Sequence, residues 1–107
     1  MKIAIVGYGK MGKTIEKIAI KEKIEIVCII DKEVKEGDLS KADVSINFCV
    51  PSAAVANILK SFDYKVPVVC GTTGWLNDFE LVKKHCEKME TAFIYSSNFS
   101  FGVNIFF

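Results

Sequence analysis

The chain has 107 residues, 50% apolar and 25% charged, the composition of an ordinary globular domain with one core. Folding at this length hides roughly 65% of the unfolded surface, too little for a cofactor site and a separate substrate domain together. The net charge of +1 is spread without a basic stripe, which speaks against nucleic acid, and the opening apolar run stops at Gly7, too short for a signal peptide or membrane span, so a cytoplasmic protein with no membrane partner is expected.

Residues 3–6 are rich in β-branched side chains without polar alternation and read as a strand covered on both faces. They run into Gly7-Tyr8-Gly9-Lys10-Met11-Gly12, a G-x-G-x-x-G whose glycines serve a tight turn, close approach to a pyrophosphate and close helix packing. Met11, Ile15, Ile18 and Ala19 recur at helical spacing and predict the inner face of the helix that follows. Its N-terminus offers free N–H groups and about half a positive charge to an anion. Lys10 reads either as a phosphate contact or as an exposed helix lysine.

A second strand over 24–30 ends at Asp31, 19 positions after Gly12 and near the ~20-residue offset at which an acid meets the adenosine ribose. Asp31 favours NADH, because a carboxylate accepts from the 2′-hydroxyl and repels a 2′-phosphate; Lys32 beside it leaves NADPH open. The connection 31–43 has little apolar periodicity and predicts an extended crossover, not a packed helix.

A third strand over 44–48 leads through Asn47-Phe48-Cys49-Val50-Pro51-Ser52 into a helix with an inner stripe of Val55, Ile58, Leu59 and Phe62. A fourth, 66–70, runs into Gly71-Thr72-Thr73-Gly74 and a helix striped by Phe79, Val82, Cys86 and Met89, with Asn77 as N-cap and Glu80 as its partner. A fifth strand, 92–95, is followed by Ser96-Ser97-Asn98-Phe99-Ser100-Phe101-Gly102-Val103-Asn104 and then Ile105-Phe106-Phe107. Because that run of aromatics wants a packing partner, the sequence reads as a fragment: a dinucleotide-binding domain over 1–107, a connecting segment starting near 100–107, and an absent substrate and tetramerisation domain.

Strands alternating with helices predict right-handed parallel units and hence an α/β, doubly wound parallel sheet, a Rossmann-type NAD(P)-binding domain. Cys28, Cys49, Cys70 and Cys86 form no C-x-x-C pair and lie near no histidine, so reduced buried thiols and no metal site are expected. Open parallel sheets bind ligands beyond the carboxyl ends of their strands, where the Asn47, Gly71 and Ser96 segments all fall. His85, the sole histidine, sits on the third helix away from that edge.

The glycine turn, Gly71-Thr72-Thr73-Gly74 and Asn98-Phe99-Ser100-Phe101-Gly102-Val103-Asn104, in this order, resemble the amino-terminal domain of the 4-hydroxy-tetrahydrodipicolinate reductase family, also called dihydrodipicolinate reductases, over the whole chain. The resemblance implies an NAD(P)H-dependent oxidoreductase of lysine and diaminopimelate biosynthesis, reducing a cyclic imine dicarboxylate, with NADH or NADPH as cofactor and a small-molecule substrate. By the same resemblance Gly7, Gly9, Lys10, Met11 and Gly12 hold the pyrophosphate, Asp31 with Lys32 the adenosine ribose, and Phe48 and Cys49 the adenosine side. Gly71 and Thr73, with Ser97, Asn98 and Phe99, hold the nicotinamide, and Thr73 also touches substrate. This chain departs from the family in having Asn47-Phe48-Cys49 where Asp-Phe-Thr is frequent, and in a short 31–43 connection. The family's paired histidines and its lysine lie in the absent domain, so no catalytic residue is expected here and the fragment is expected to be inactive alone; the full-length protein is expected to be a homotetramer. Two other readings remain: the cofactor domain of another amino-acid dehydrogenase, of aspartate or homoserine type, and a non-catalytic NAD(P)-sensing module.

Overall fold

The computed structural model describes residues 1–31, 35–72, 74–95 and 104–106, with Lys35 and the last three by backbone alone. Its strands form one sheet in the order β3-β2-β1-β4-β5-β6-β7, with β1 Lys2–Val6, β2 Glu25–Ile30, β3 Lys35–Gly37, β4 Val44–Asn47, β5 Val68–Cys70, β6 Phe93–Tyr95 and β7 Asn104–Phe106. β1 pairs in parallel with both β2 and β4, and β4, β5 and β6 continue the parallel run. The chain therefore winds outward in both directions from β1 and β4, the doubly wound arrangement expected from the sequence, and the switch point lies at their carboxyl ends.

Both outermost strands run against the rest. β3 pairs antiparallel with β2, with Glu36 opposite Ile29, and β7 antiparallel with β6. Among its described residues the 31–43 connection holds no α-helix, but it is more than a crossover. It adds an edge strand and then a 3-10 turn, Leu39–Lys41, whose N-cap Asp38 accepts from the Ser40 N–H at 3.0 Å while Leu39 is buried against Ala4 and Cys28.

The three helices are α1 Lys10–Lys21, α2 Pro51–Asp63 and α3 Phe79–Lys88. Alternation along the strands separates them. Ile3 and Ile5, with Val44 and Ile46, pack toward Ala19 of α1, whereas Ser45 on the opposite face bonds Ser61 of α2 at 3.1 Å. That second face holds the larger core, in which Ala54, Ile58 and Phe62 of α2 and Val82 and Cys86 of α3 meet Val68, Cys70, Phe93 and Tyr95. Phe93 stands edge-on to both Phe62 and Trp75, at 6.0 and 5.7 Å between ring centres.

Two details differ from the sequence reading. The inner face of α1 is Gly12, Ile15, Glu16 and Ala19; Met11 and Ile18, expected inside, are 49% and 56% exposed. Gly12 and Ala19 are the small residues, and the helix presses on the sheet where they leave room, which turns its larger apolar neighbours outward. Asn77 does not cap α3: it lies within a 3-10 turn, Leu76–Asp78, and Asp78 is the N-cap, with no side-chain cap bond. All three helices close on a left-handed residue that is not glycine, namely Lys23, Lys65 and Glu90, with φ of 59°, 59° and 52°. The next N–H in each case bonds back five residues, as from Ile24 to the Ala19 carbonyl at 2.8 Å.

Candidate functional site

At the switch point the chain leaves β1 through Gly7, whose φ of +95° suits glycine. The Gly7 N–H donates to the Ile30 carbonyl at 2.6 Å, tying the turn to β2, and a Cβ on Gly7 would fall 2.6 Å from the Phe48 carbonyl group and 2.7 Å from the Cys49 nitrogen. Gly12 is as confined, since a Cβ there would lie 2.2 Å from the Gly7 carbonyl oxygen. Gly9 is the opposite case: nothing stands within 4 Å of the position its Cβ would take. The turn is thus closed toward the protein and open toward solvent at the mouth of α1.

Gly9 is the N-cap of α1 and brings no side chain to it, so the N–H groups of the first turn have no capping partner from that residue. Tyr8, between the two glycines, lies back along the helix: its hydroxyl donates to the Glu16 carboxylate and the Lys13 ammonium stands 5.6 Å over its ring. The Glu16 contact raises the Tyr8 phenol above its ordinary pKa. Lys10 is exposed at the start of the helix.

Two recesses flank this turn. One, of about 210 Å³, is lined by Gly7, Asp31 and Cys49 together with Ile30, Val50, Ala53 and Asn57. The other, of about 270 Å³, is lined by Met11, Phe48, Cys49, Pro51, Gly71 and Thr72. Cys49 forms the wall between them. The structure places Phe48 on the Gly71 side rather than with Asp31; its ring lies so close that a Cβ on Gly71 would meet Cε1 at 2.1 Å.

Thr72, given no role of its own in the sequence reading, joins the two carboxyl-edge loops. Its hydroxyl donates to the Cys49 carbonyl at 2.9 Å, and its own carbonyl accepts from the Trp75 indole N–H at 2.7 Å. Cys70 lies beneath, where burial pushes its thiol up to about 11. Asn57 and Ala53 were also missed, and their signal was present: they stand four residues apart on a helix that begins with Pro51 at the carboxyl edge.

Of the residues expected at the site, Gly7, Gly9, Lys10, Met11, Gly12, Asp31, Phe48, Cys49 and Gly71 gather around the mouth of α1 and its two recesses. Lys32, Thr73, Ser97, Asn98 and Phe99 lie outside the described residues. His85 lies elsewhere, bonded to Asp63 at 2.7 Å across α2 and α3 and stacked on Phe62. No disulfide joins the four cysteines, and no described helix is long and apolar enough to cross a membrane.

Comparison with known proteins gives the same direction from independent information. A family model for the N-terminus of dihydrodipicolinate reductase matches residues 1–99. A 4-hydroxy-tetrahydrodipicolinate reductase of Christiangramia forsetii is 49% identical over 109 residues, covering 100% of this chain and 46% of that protein. One from Archaeoglobus fulgidus is 35% identical over 127 residues, covering 99% and 49%. The chain therefore spans about half the length of the curated relatives it matches. A solved structure from Archaeoglobus fulgidus assigned to the homoserine dehydrogenases superposes with a TM-score of 0.75 over 89% of this chain and 42% of that one, at 19% identity, a likeness of fold alone.

Proposed function

Since the chain belongs to the dihydrodipicolinate reductase family, matching its N-terminal part over residues 1–99, we propose that it is the domain that holds NADH or NADPH while a cyclic imine dicarboxylate is reduced to tetrahydrodipicolinate. The observation that carries this reading is the contrast within the glycine turn, where Gly7 and Gly12 are confined by backbone and Gly9 alone faces open space. A pyrophosphate fits that space, because the absence of a Cβ lets it approach main-chain N–H groups at the positive end of α1. The Asp31 carboxylate, at the end of β2, receives the adenosine ribose hydroxyls, with Lys32 next to it on the chain. Gly71, with Thr73 and the Ser97-Asn98-Phe99 segment, receives the nicotinamide; Thr73 also reaches substrate.

When bound, the reduced nicotinamide supplies the hydride. What this chain supplies is position. Phe48 and Met11 line a recess beside Gly71 and offer apolar contact to the nicotinamide ring. The proton for the developing amine comes from the other half of the full-length protein, which also carries most substrate contacts and the contacts of a homotetramer; the assembled enzyme is cytoplasmic. The fold likeness to a homoserine dehydrogenase does not favour that substrate, because the match to the reductase family is one of sequence over nearly the whole chain.

The test is the Gly9→Ala variant, with nicotinamide fluorescence as readout of NADH and NADPH binding. The added methyl meets no protein atom, so the melting temperature stays within the few degrees that a change of N-cap costs. Affinity falls about tenfold or more, or roughly 1.4 kcal/mol, as the pyrophosphate is held off. Equal affinity in the two proteins refutes the placement. Imine reduction is expected from the full-length protein and not from the 107-residue chain, so turnover by the short chain contradicts the division of labour.

A further inference from the structure

The loops after β4 and β5 run side by side beyond the ends of those strands. The last rung between them is main chain, the Gly71 N–H donating to the Asn47 carbonyl at 3.0 Å. The next link is a side chain, for the Thr72 hydroxyl donates to the Cys49 carbonyl at 2.9 Å. Thr72 is held from the other direction as well. Its carbonyl accepts from the Trp75 indole N–H at 2.7 Å, and Trp75 is packed among Phe79, Phe93 and Tyr95, at 6.3, 5.7 and 5.1 Å between ring centres. Cys49 lines both recesses, and its two sides are secured differently. Toward Asp31 the backbone holds it: the Phe48 N–H donates to the Val6 carbonyl at 2.8 Å, and Gly7 abuts the Cys49 nitrogen. Toward Gly71 the tie runs through Thr72 to the aromatic core.

We infer that Thr72 is a positioning residue for the nicotinamide: its hydroxyl sets the spacing of the two loops, and with it the shape of the recess between Phe48, Pro51 and Gly71. The inference rests on the cofactor reading above and deepens it. Thr72 is 6% exposed, and the one proton of its hydroxyl goes to Cys49, so the side chain acts on the ligand through the loops and not by touching it. What it controls is the approach of Gly71 to Phe48, whose ring occupies the place a Cβ on Gly71 would take. Without the hydroxyl the loop after β5 keeps its rung at Asn47 but gains a second, wider arrangement. A cofactor that needs the narrow one then binds in proportion to its population. A pyrophosphate at the mouth of α1 meets the Gly7 side of Cys49, which the main chain holds, so the effect falls on one end of the dinucleotide.

The experiment titrates NADH and ADP-ribose, which lacks the nicotinamide, into this chain and its Thr72→Val and Thr72→Ser variants by calorimetry, with circular dichroism verifying each fold. Valine keeps the branched shape and removes the hydroxyl; serine keeps the hydroxyl. In Thr72→Val, NADH is expected to weaken about fivefold, the factor that one neutral hydrogen bond is worth, while ADP-ribose binds as before. Thr72→Ser is expected to bind both as the unaltered chain does. Where valine does not fold, Thr72→Ala reads the loss of the same bond. If the hydroxyl-free variant loses NADH and ADP-ribose alike, or serine fails to restore NADH, Thr72 serves the fold and the inference is refuted. If that variant keeps its NADH affinity, or NADH binds the unaltered chain no tighter than ADP-ribose does, the positioning role is refuted and the cofactor site stands. If the unaltered chain takes up neither, the cofactor reading itself fails, and this inference with it.

Discussion

Replacing Gly12 by alanine tests how tightly α1 must approach the sheet for the site to exist. The new Cβ would lie 2.2 Å from the Gly7 carbonyl oxygen, 3.2 Å from its carbon and 3.4 Å from Cγ2 of Ile5. An unstrained carbon-oxygen contact needs about 1 Å more, so one partner must move. Gly7 is ill placed to do so: its N–H is bonded to Ile30, and its own Cα faces the Phe48 and Cys49 backbone. The helix must therefore lift at its first turn. Overpacking of this kind costs about 1–3 kcal/mol, and the better helix propensity of alanine returns up to about 1 kcal/mol. A net loss of roughly 1–2 kcal/mol lowers the melting temperature of a domain this size by about 5–15 °C. Thermal unfolding followed by circular dichroism measures the loss, and NADH titration follows the displacement of the N–H groups that the lift carries with it. A variant that melts within about 2 °C of the original and binds NADH equally well refutes the claim that contact between Gly12 and Gly7 sets the height of α1.

Two further outcomes follow from the core and the helix ends. The Cys70 thiol is raised from 9.0 to about 11, chiefly by burial, so the folded state holds its proton more tightly than the unfolded one. Its contribution is therefore fully present below pH 9 and is lost as pH rises through 11, by about 3 kcal/mol; Cys70→Ala should flatten the fall of melting temperature over that window, and an unchanged alkaline profile counts against the assignment. Lys23, Lys65 and Glu90 hold left-handed backbone at a cost of about 1 kcal/mol each, part of which glycine recovers. The triple glycine variant should gain about 1–2 kcal/mol in denaturant titration, and a loss would show that these side chains contribute contacts that outweigh the backbone strain.

Much of this architecture was legible because it is written in local chemistry. The β-branched runs announce strands that need two covered faces, and the glycine turn followed by Asp31 announces a strand-helix-strand unit, whatever the rest of the chain does. The inner face of α1 was misjudged because periodicity ranks residues by hydrophobicity, while close packing selected Gly12 and Ala19 for being small. β3 escaped notice because Lys35–Gly37 is short and polar, and it is defined by pairing along the edge of β2. Asn77 has the chemistry of a cap but lies within the preceding 3-10 turn.

The bond between Trp75 and the Thr72 carbonyl has a practical consequence. The chain contains one tryptophan, and it is 3% exposed, so its emission comes from a single rigid environment. That indole is wired through one residue to the wall of the recess beside Gly71, and any guest that pulls on Thr72 alters the polarity and geometry around the fluorophore. The protein thus carries its own optical gauge of cleft occupancy, readable without a label.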